Sequence, residues 1–295
     1  MSDVLNRRLR GSDHSLDPYF SVKRERLLTS SGEYVGFDAL INSKLNKTLS
    51  VVGESYHFVP HKTASQTVHD FLDATKLNYV IKFIRTAANG AQYFEVIEFP
   101  DLKFEVLPKG KDTSLDADKH KPDEYVPTIT VRSSYDKSYP TQFAYGAFRY
   151  ICINGVMVGI DISKLSIRHN QKLVVGDVQN SFEENLEKSI ESLKVRIPEL
   201  NELEGQEFAE EFLFNRTLPA KFKKDIVEMA GPAISSYYDT MTSPSGRTKQ
   251  VLKSIDTDMS AYAVMNIITS LVSHKAKNAA KQQGMYNMVA KVFDL

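Results

Sequence analysis

The hydrophobic pattern of this 295-residue chain changes its period near residue 180, and this change limits the folds available to it. Before residue 180, short runs of aromatic and β-branched residues are separated by turn residues, as in antiparallel strands. After it, apolar residues recur every three or four positions, as on one face of a helix. We therefore predict an α+β fold, with an antiparallel β-sheet and helices in the N-terminal half and a helical C-terminal half.

Two hairpins are predicted in the first half of the chain. The polar turn NSKLNK separates the strand-like segments EYVGFDALI and TLSVVGESYHFV, and Asn89-Gly90 separates two further runs of this kind. Asn-Gly is a strong hairpin signal because both residues tolerate positive φ angles. A later segment, TQFAYGAFRYICI, fits either a strand or a helix, and Gly146 weakens both interpretations.

A helix is predicted between the two hairpins, in the segment HKTASQTVHDFLDATK. Val68, Phe71 and Leu72 fall on one face of such a helix, and Thr63 followed by Gln66 fits a capping box.

The composition divides the chain into three predicted regions. Residues 1–26 form a flexible basic arm, 27–176 a β-rich α+β domain with a surface loop at 108–124, and 177–295 a helical region packed on that domain. Within the last region, Pro198 is expected to end the first helix.

Overall charge and cysteine content exclude several classes of protein. The 37 Lys and Arg residues equal the 37 Asp and Glu residues, so the whole chain has no net attraction to nucleic acid or membrane. A single cysteine, Cys152, excludes intramolecular disulfides and cysteine-cluster metal sites. No apolar run is long enough to span a bilayer, and we expect a cytoplasmic protein with no membrane partner.

No motif in the sequence supports an enzyme, a metal or a cofactor. The chain contains no glycine-rich phosphate loop and no serine nucleophile elbow. His57, His61 and His69 lie near acidic residues but lack the spacing of a metal site. Cys152 and His169 could form a thiolate pair, although a cysteine in an apolar run is more typical of a core.

A basic and aromatic segment at residues 126–176 is the most suggestive functional feature. It contains six Lys or Arg residues against two Asp residues. Single strands of nucleic acid require cations for phosphates and flat side chains for stacked bases. The candidate binding residues are Arg132, Tyr135, Lys137, Tyr145, Arg149, Tyr150, Arg168, His169 and Lys172.

A structural interpretation of the same residues stays open. The tyrosines could be half-buried in a strand surface while the cations remain solvated. Arg149 and Arg168 are flanked by apolar residues, and a guanidinium in such a setting pairs with either a carboxylate or a phosphate. The candidate internal carboxylates for such a pair are Glu95, Glu98 and Asp161.

The helical half carries the opposite charge. Residues 181–211 contain ten Glu and three Lys or Arg residues. This pattern fits a solvated helix face, but opposite charges on two halves of a neutral chain also suit head-to-tail assembly. We therefore expect a homo-oligomer.

Four segments follow one another in a fixed order, namely VVGESYHFVPH, RSSYDKSYPTQFAYGAFRYICINGVMVG, SIRHN and YAVMNIITSLVSH. Together they resemble a family of phage and plasmid proteins known as domain of unknown function 932, and the likeness covers roughly residues 33 to 280. The matching positions are Gly146, Phe148, Arg149, Cys152, Asn154, Gly155, Ile167, Arg168, His169, Asn266, Thr269 and His274. The resemblance implies a mobile-element origin and a bacterial host cell, and no particular activity.

The predicted order of elements is also similar, without shared motifs, to Rad52-like single-strand annealing proteins of phages. Our first functional hypothesis is therefore a phage- or plasmid-encoded protein that binds or anneals single-stranded DNA. The alternative is a protein-binding counter-defence or assembly protein without catalytic activity.

Overall fold

The structure is a computed structural model that describes residues 17–107, 122–151, 156–215, 218–275 and 279–295. It contains antiparallel sheets and helices, which confirms the predicted α+β class. The strands are β1 (Val22–Leu28), β2 (Tyr34–Asn42), β3 (Lys47–Gly53), β4 (Val80–Ala87), β5 (Gln92–Glu98), β6 (Phe104–Val106), β7 (Asp123–Ser134), β8 (Thr141–Ile151), β9 (Val156–Ile167), β10 (Ile234–Thr242) and β11 (Thr248–Thr257). The helices are α1 (His61–Thr75), α2 (Val175–Glu202), α3 (Gln206–Phe214), α4 (Ala220–Ala230), α5 (Ala261–Lys275) and α6 (Ala279–Val292).

The described residues divide into two compact units, and the chain passes between them more than once. The first unit comprises those within Met1–Lys103, Val126–Ala147 and Asp161–Ile190. The second comprises those within Phe104–Tyr125, Phe148–Ile160 and Glu191–Leu295. A boundary at residue 176 does not separate these units, because packing between distant segments, rather than the change of period, defines them.

A three-stranded meander and a six-stranded sheet form the strand framework of the first half. The meander has the order β1-β2-β3, and the larger sheet has the order β4-β5-β7-β8-β9, with β6 paired to β7. Both predicted hairpins are confirmed, and Asn89 and Gly90 at the second turn have φ angles of 57° and 88°. The ambiguous segment after residue 141 is the strand β8.

One face of the larger sheet carries the core of the first unit. Strand alternation places Tyr93, Ile97 and Val131 on this face, against apolar side chains of α1 and α2. Phe182 of α2 is fully buried, and its ring contacts the ring of Phe71 of α1. On the opposite face, Val96 and Thr130 are also buried, whereas Phe94 and Arg132 are half-buried.

Helix α1 confirms the predicted helix but not its capping box. The helix begins at His61 after Pro60 and has no side-chain cap, and the Gln66 amide donates to Asp70 Oδ1 at 2.7 Å. Proline fixes φ near the value that a helix start requires, so the helix can begin there without Thr63. Val68, Phe71 and Leu72 are buried, as predicted.

Two features of the C-terminal half differ from prediction. Helix α2 continues through Pro198 to Glu202, and a hairpin of β10 and β11 lies between helices α4 and α5. The strand pattern of this hairpin is weak because both of its faces carry polar residues. Four of the predicted acidic residues on α2 are exposed: Glu183, Glu184, Glu187 and Glu191.

Two predicted flexible segments contain strand residues at their ends. Strand β1 begins at Val22, inside the predicted arm 1–26, and β7 begins at Asp123, inside the predicted loop 108–124. Most of this edge strand is exposed, and its sequence VKRERLL is charged. The usual apolar alternation of a strand is therefore missing. The remaining residues, 1–16 and 108–121, lie outside the described residues. No helix in the described ranges is both long and apolar enough to cross a membrane.

Candidate nucleic-acid interface

Several of the predicted cations lie along one edge of the larger sheet, the edge formed by the ends of its strands rather than by an outer strand. Strands β4, β7 and β9 end at this edge, and β5 and β8 begin there. The hydroxyl of Tyr139, in the turn before β8, donates to the Tyr93 carbonyl near the start of β5 at 3.3 Å. We call this region the basic edge; its cationic side chains are Arg85, Arg132, Lys137, Arg168 and Lys172.

A stack of two arginines and two phenylalanines crosses three strands beside the basic edge. Cross-strand register pairs Arg85 with Phe94 and Phe94 with Arg132, on the face opposite the core. The Arg132 guanidinium lies 5.1 Å from the Phe94 ring centroid, and that ring lies 5.6 Å from the Phe83 ring. The Arg85 guanidinium lies 4.5 Å from the Phe83 ring centroid. Cation–π attraction holds both guanidinium groups against the rings.

The two arginines of this stack differ in exposure. Arg85 is buried, and this burial lowers the pKa of its guanidinium. Arg132 is half-buried, as are both phenylalanines. Both arginines make further interactions besides the ring contacts. The same face is buried farther along the strands, at Val96 and Thr130, so exposure begins at the stack.

The turn after β9 is held against the basic edge through His169. The His169 ring stacks on Tyr56 at a centroid distance of 4.6 Å, and its Nε2 lies 2.9 Å from the Tyr139 carbonyl oxygen. Arg168 and Lys172 lie at the two ends of this turn and are exposed. A fixed backbone between two exposed cations suits phosphate binding, because little flexibility is lost when an anion binds.

Lys137 is exposed in the turn between β7 and β8, with a φ angle of 65°. Its Nζ donates to the Val51 carbonyl at 2.7 Å, which positions the ammonium group beside the meander. The neighbouring Asp136 accepts a 2.8 Å hydrogen bond from the Gln92 amide. Lys137 therefore has two remaining ammonium protons for an anion.

Two predicted stacking residues are buried and do not fit that role. Tyr135 and Tyr145 are each 1% exposed. Tyr145 packs its ring against Phe182 of α2, and the Tyr135 hydroxyl accepts a hydrogen bond from the backbone of His61 at 2.9 Å. The neighbouring strand residues Ser134, Ala144 and Gly146 are buried as well, so this part of the basic-aromatic segment lies inside the protein.

The side chains of Arg149 and Tyr150, together with Cys152, lie outside what the structure describes, although β8 includes residues 149 and 150. Of the candidate carboxylates for Arg149, the Asp161 side chain also lies outside what the structure describes, and Glu95 and Glu98 have other neighbours. Both oxygens of Glu95 accept hydrogen bonds, from His69 and Tyr93, and Glu98 lies 3.3 Å from Lys82 Nζ.

His57, His61 and His69 of the first unit make contacts that hold its elements together. The His57 backbone N–H donates to the His169 carbonyl, and the His61 ring is stacked between Tyr93 and Tyr135. His69 binds Glu95 instead. Among the described residues, no group of three His, Cys, Asp or Glu side chains is arranged to hold a metal ion.

Three members of the stack were missed by the sequence analysis, namely Phe83, Arg85 and Phe94. A signal for them exists in the sequence. Counting outward from the Asn89-Gly90 turn pairs residues whose numbers sum to 179, which places Arg85 opposite Phe94. Their alignment with Arg132 was not predictable, because β7 is separated from β5 by a long connection.

A search of curated proteins and a search of solved structures each returned no match. The likeness to Rad52-like proteins therefore stays a prediction. The sequence profile of one family matches residues 48–292, which is most of the chain. That match includes α1, all strands of the larger sheet and the helices of the second unit. The chain thus belongs to the family described as Domain of unknown function (DUF932).

Proposed function

We propose that this protein binds single-stranded nucleic acid at the basic edge and the adjoining stack, in the DNA metabolism of a phage or plasmid within a bacterial cytoplasm. The stack of Arg132, Phe94, Phe83 and Arg85 is the observation that carries this proposal. It joins cationic and flat side chains on the sheet face opposite the core.

The two parts of this surface have different roles in the proposal. Arg168, Lys172 and Lys137 contact successive phosphates of one strand, because they are exposed at one edge of the sheet. Arg132 contributes a planar guanidinium, already oriented by the Phe94 ring, on which an unpaired base stacks. A base inside a duplex is already stacked on its neighbours, so single strands are favoured over duplex.

Binding of a protein partner, as in a counter-defence or assembly protein, is the second candidate. Exposed large apolar side chains in the second unit favour it, notably Tyr237 at 58% and Met241 at 61%. This function requires no continuous basic surface.

Fluorescence anisotropy with a labelled single strand, an equivalent duplex and two salt concentrations tests the first proposal. We expect tighter binding to the single strand and weaker binding at the higher salt concentration. Arg168→Ala and Lys172→Ala should each reduce the slope of log K against log salt by about 0.7, the value for one phosphate of a single strand.

Lys224→Ala is the matched control, because Lys224 is an exposed cation of the second unit and pairs with a neighbouring helix residue, Glu228, at 3.4 Å. Its salt slope should equal that of the unaltered protein. Absence of binding at low salt, or an equal loss of slope in the control, would favour the protein-binding function.

A further inference from the structure

Strand β3 of the meander crosses the strand ends of the larger sheet in the spatial order of those strands. At the start of β3, Lys47 Nζ lies 3.5 Å from Asn89 Oδ1, in the turn between β4 and β5. Farther along β3, the Val51 carbonyl accepts a 2.7 Å hydrogen bond from Lys137, in the turn between β7 and β8. Beyond β3, the aromatic stack on the His169 ring continues this line to the turn after β9. The segment therefore connects three separate turns of the basic edge.

The turn between β2 and β3 is fixed against the same edge. The Asn42 amide donates to the Asn89 carbonyl at 3.0 Å, and its Oδ1 accepts from the backbone N–H of Lys44 at 3.0 Å. Asn42 is fully buried, whereas Lys44 and Lys47 are exposed. Two exposed cations thus lie on a turn whose backbone is held in place, as Arg168 and Lys172 do at the other end of the edge.

The charge along this line is predominantly positive. In residues 43–54, 88–91, 135–140 and 168–172, the Lys, Arg, Asp and Glu residues are Lys44, Lys47, Glu54, Asp136, Lys137, Arg168 and Lys172. Five cations therefore accompany two anions. Asp136 is half-buried, and both of its oxygens accept hydrogen bonds, from the Gln92 amide and the Ser138 backbone. Strand β3 itself contains no acidic residue.

We propose that the bound single strand runs along β3, from the turn after β9 to the turn between β2 and β3, where Lys44 and Lys47 contact its phosphates. This inference rests on the proposed function, because it extends the same site. The ends of the path are separated by about three and a half strand spacings, or roughly 17 Å. The ligand is therefore an extended strand of several nucleotides, and neither a mononucleotide nor a terminal phosphate engages both ends.

Fluorescence anisotropy with a labelled oligothymidylate of about 15 nucleotides tests the two new contacts. The double variant Lys44→Gln with Lys47→Gln should reduce the slope of log K against log salt by about 1.4, because each phosphate of a single strand contributes about 0.7.

Lys76→Gln is the matched control, and its salt slope should equal that of the unaltered chain. Lys76 is an exposed cation of the same unit that directly follows α1. The other end of this helix, at His61, contacts the Gly90 carbonyl at the basic edge. The length of α1, about 22 Å, therefore separates Lys76 from that edge.

A series of oligothymidylates of increasing length tests the path itself. The salt slope of the unaltered chain should keep rising beyond the length at which the slope of the double variant becomes constant, because only the unaltered chain has cations for the added phosphates.

Absence of single-strand binding by the unaltered chain would overturn both the proposed function and this path. If Arg168→Ala reduces the salt slope while the double variant retains its full value, the path alone is wrong. An equal loss of slope in Lys76→Gln would also contradict the path, since any surface cation would then serve.

Discussion

His69 Nε2 lies 2.7 Å from Oε1 of the fully buried Glu95, and this contact joins α1 to the second strand of the larger sheet. His69 Nδ1 lies 3.2 Å from the Tyr79 hydroxyl, which donates its proton to Asp73. Donation from both ring nitrogens satisfies these two contacts, and this is the hydrogen-bonding pattern of the protonated imidazolium. The hydrogen bond to Glu95 accordingly raises the pKa of His69, although partial burial opposes the shift.

Glu95→Gln should destabilise the protein most at mildly acidic pH. The pKa of His69 is higher in the folded protein than in the unfolded chain. The ion pair with Glu95 therefore adds fully to the free energy of unfolding below the unfolded pKa of about 6.5, and this stabilisation is lost as pH rises through the folded pKa. At pH 6 we expect a loss of about 3 kcal/mol in the free energy of unfolding, as for a broken buried ion pair. Urea unfolding at pH 6 and pH 9 measures the loss in the free energy of unfolding. A loss at pH 9 as large as that at pH 6 would contradict the pairing of a protonated His69 with Glu95. Glu183→Gln, an exposed carboxylate, is the control.

His61 should have the opposite pH dependence. Burial lowers the pKa of His61 to about 3, and its Nε2 donates to the Gly90 carbonyl at 3.0 Å. Below pH 6.5 the unfolded chain gains a proton there that the folded protein does not accept until about pH 3. His61→Phe should therefore cost about 1 kcal/mol at pH 7, for the lost hydrogen bond, yet stabilise by a net of about 2 kcal/mol at pH 4, where about 3 kcal/mol of protonation penalty is removed.

Chemical unfolding of His61→Phe and of the unaltered chain between pH 4 and pH 7 tests whether their curves of stability against pH cross. Parallel stability curves for His61→Phe and the unaltered chain would show that His61 is not buried in the neutral form.

Phe182→Ala should destabilise the first unit strongly. The Phe182 ring contacts Phe71, Phe143 and Tyr145 at centroid distances of 5.1, 5.8 and 5.3 Å. Removing a fully buried aromatic ring costs about 3–5 kcal/mol, including the cavity left behind. Thermal unfolding should show this loss, whereas Val195→Ala, which alters an exposed residue of α2, should change stability by less than about 0.5 kcal/mol.

Arg149→Ala separates a structural arginine from a binding one. The proposed function assigns Arg149 to a ligand phosphate. The variant should then keep its melting temperature and bind a single strand about 1.5–3 kcal/mol more weakly. A large fall in the melting temperature would assign Arg149 to an internal ion pair, whose loss costs about 3–5 kcal/mol.

The sequence alone determined the fold class and most of the local elements. Asn89-Gly90 specifies its hairpin through the positive φ angles of both residues, and the spacing of Val68, Phe71 and Leu72 specifies α1 and its buried face. These features depend on backbone preference and period, which short segments contain by themselves. Where polar residues interrupt the apolar ones on both faces of an element, as in β1 and in the hairpin of β10 and β11, the same patterns do not reveal it.

Only the tertiary structure decided which members of the basic-aromatic segment are exposed. Tyr135 and Tyr145 lie in the core, while Arg132 joins Phe94 and Phe83 from distant strands. Likewise, the ion pair of His69 with Glu95 depends on how α1 packs on the sheet. Strand order and helix packing are set by the summed burial of many side chains. A residue's neighbours across a sheet therefore cannot be derived from its own segment.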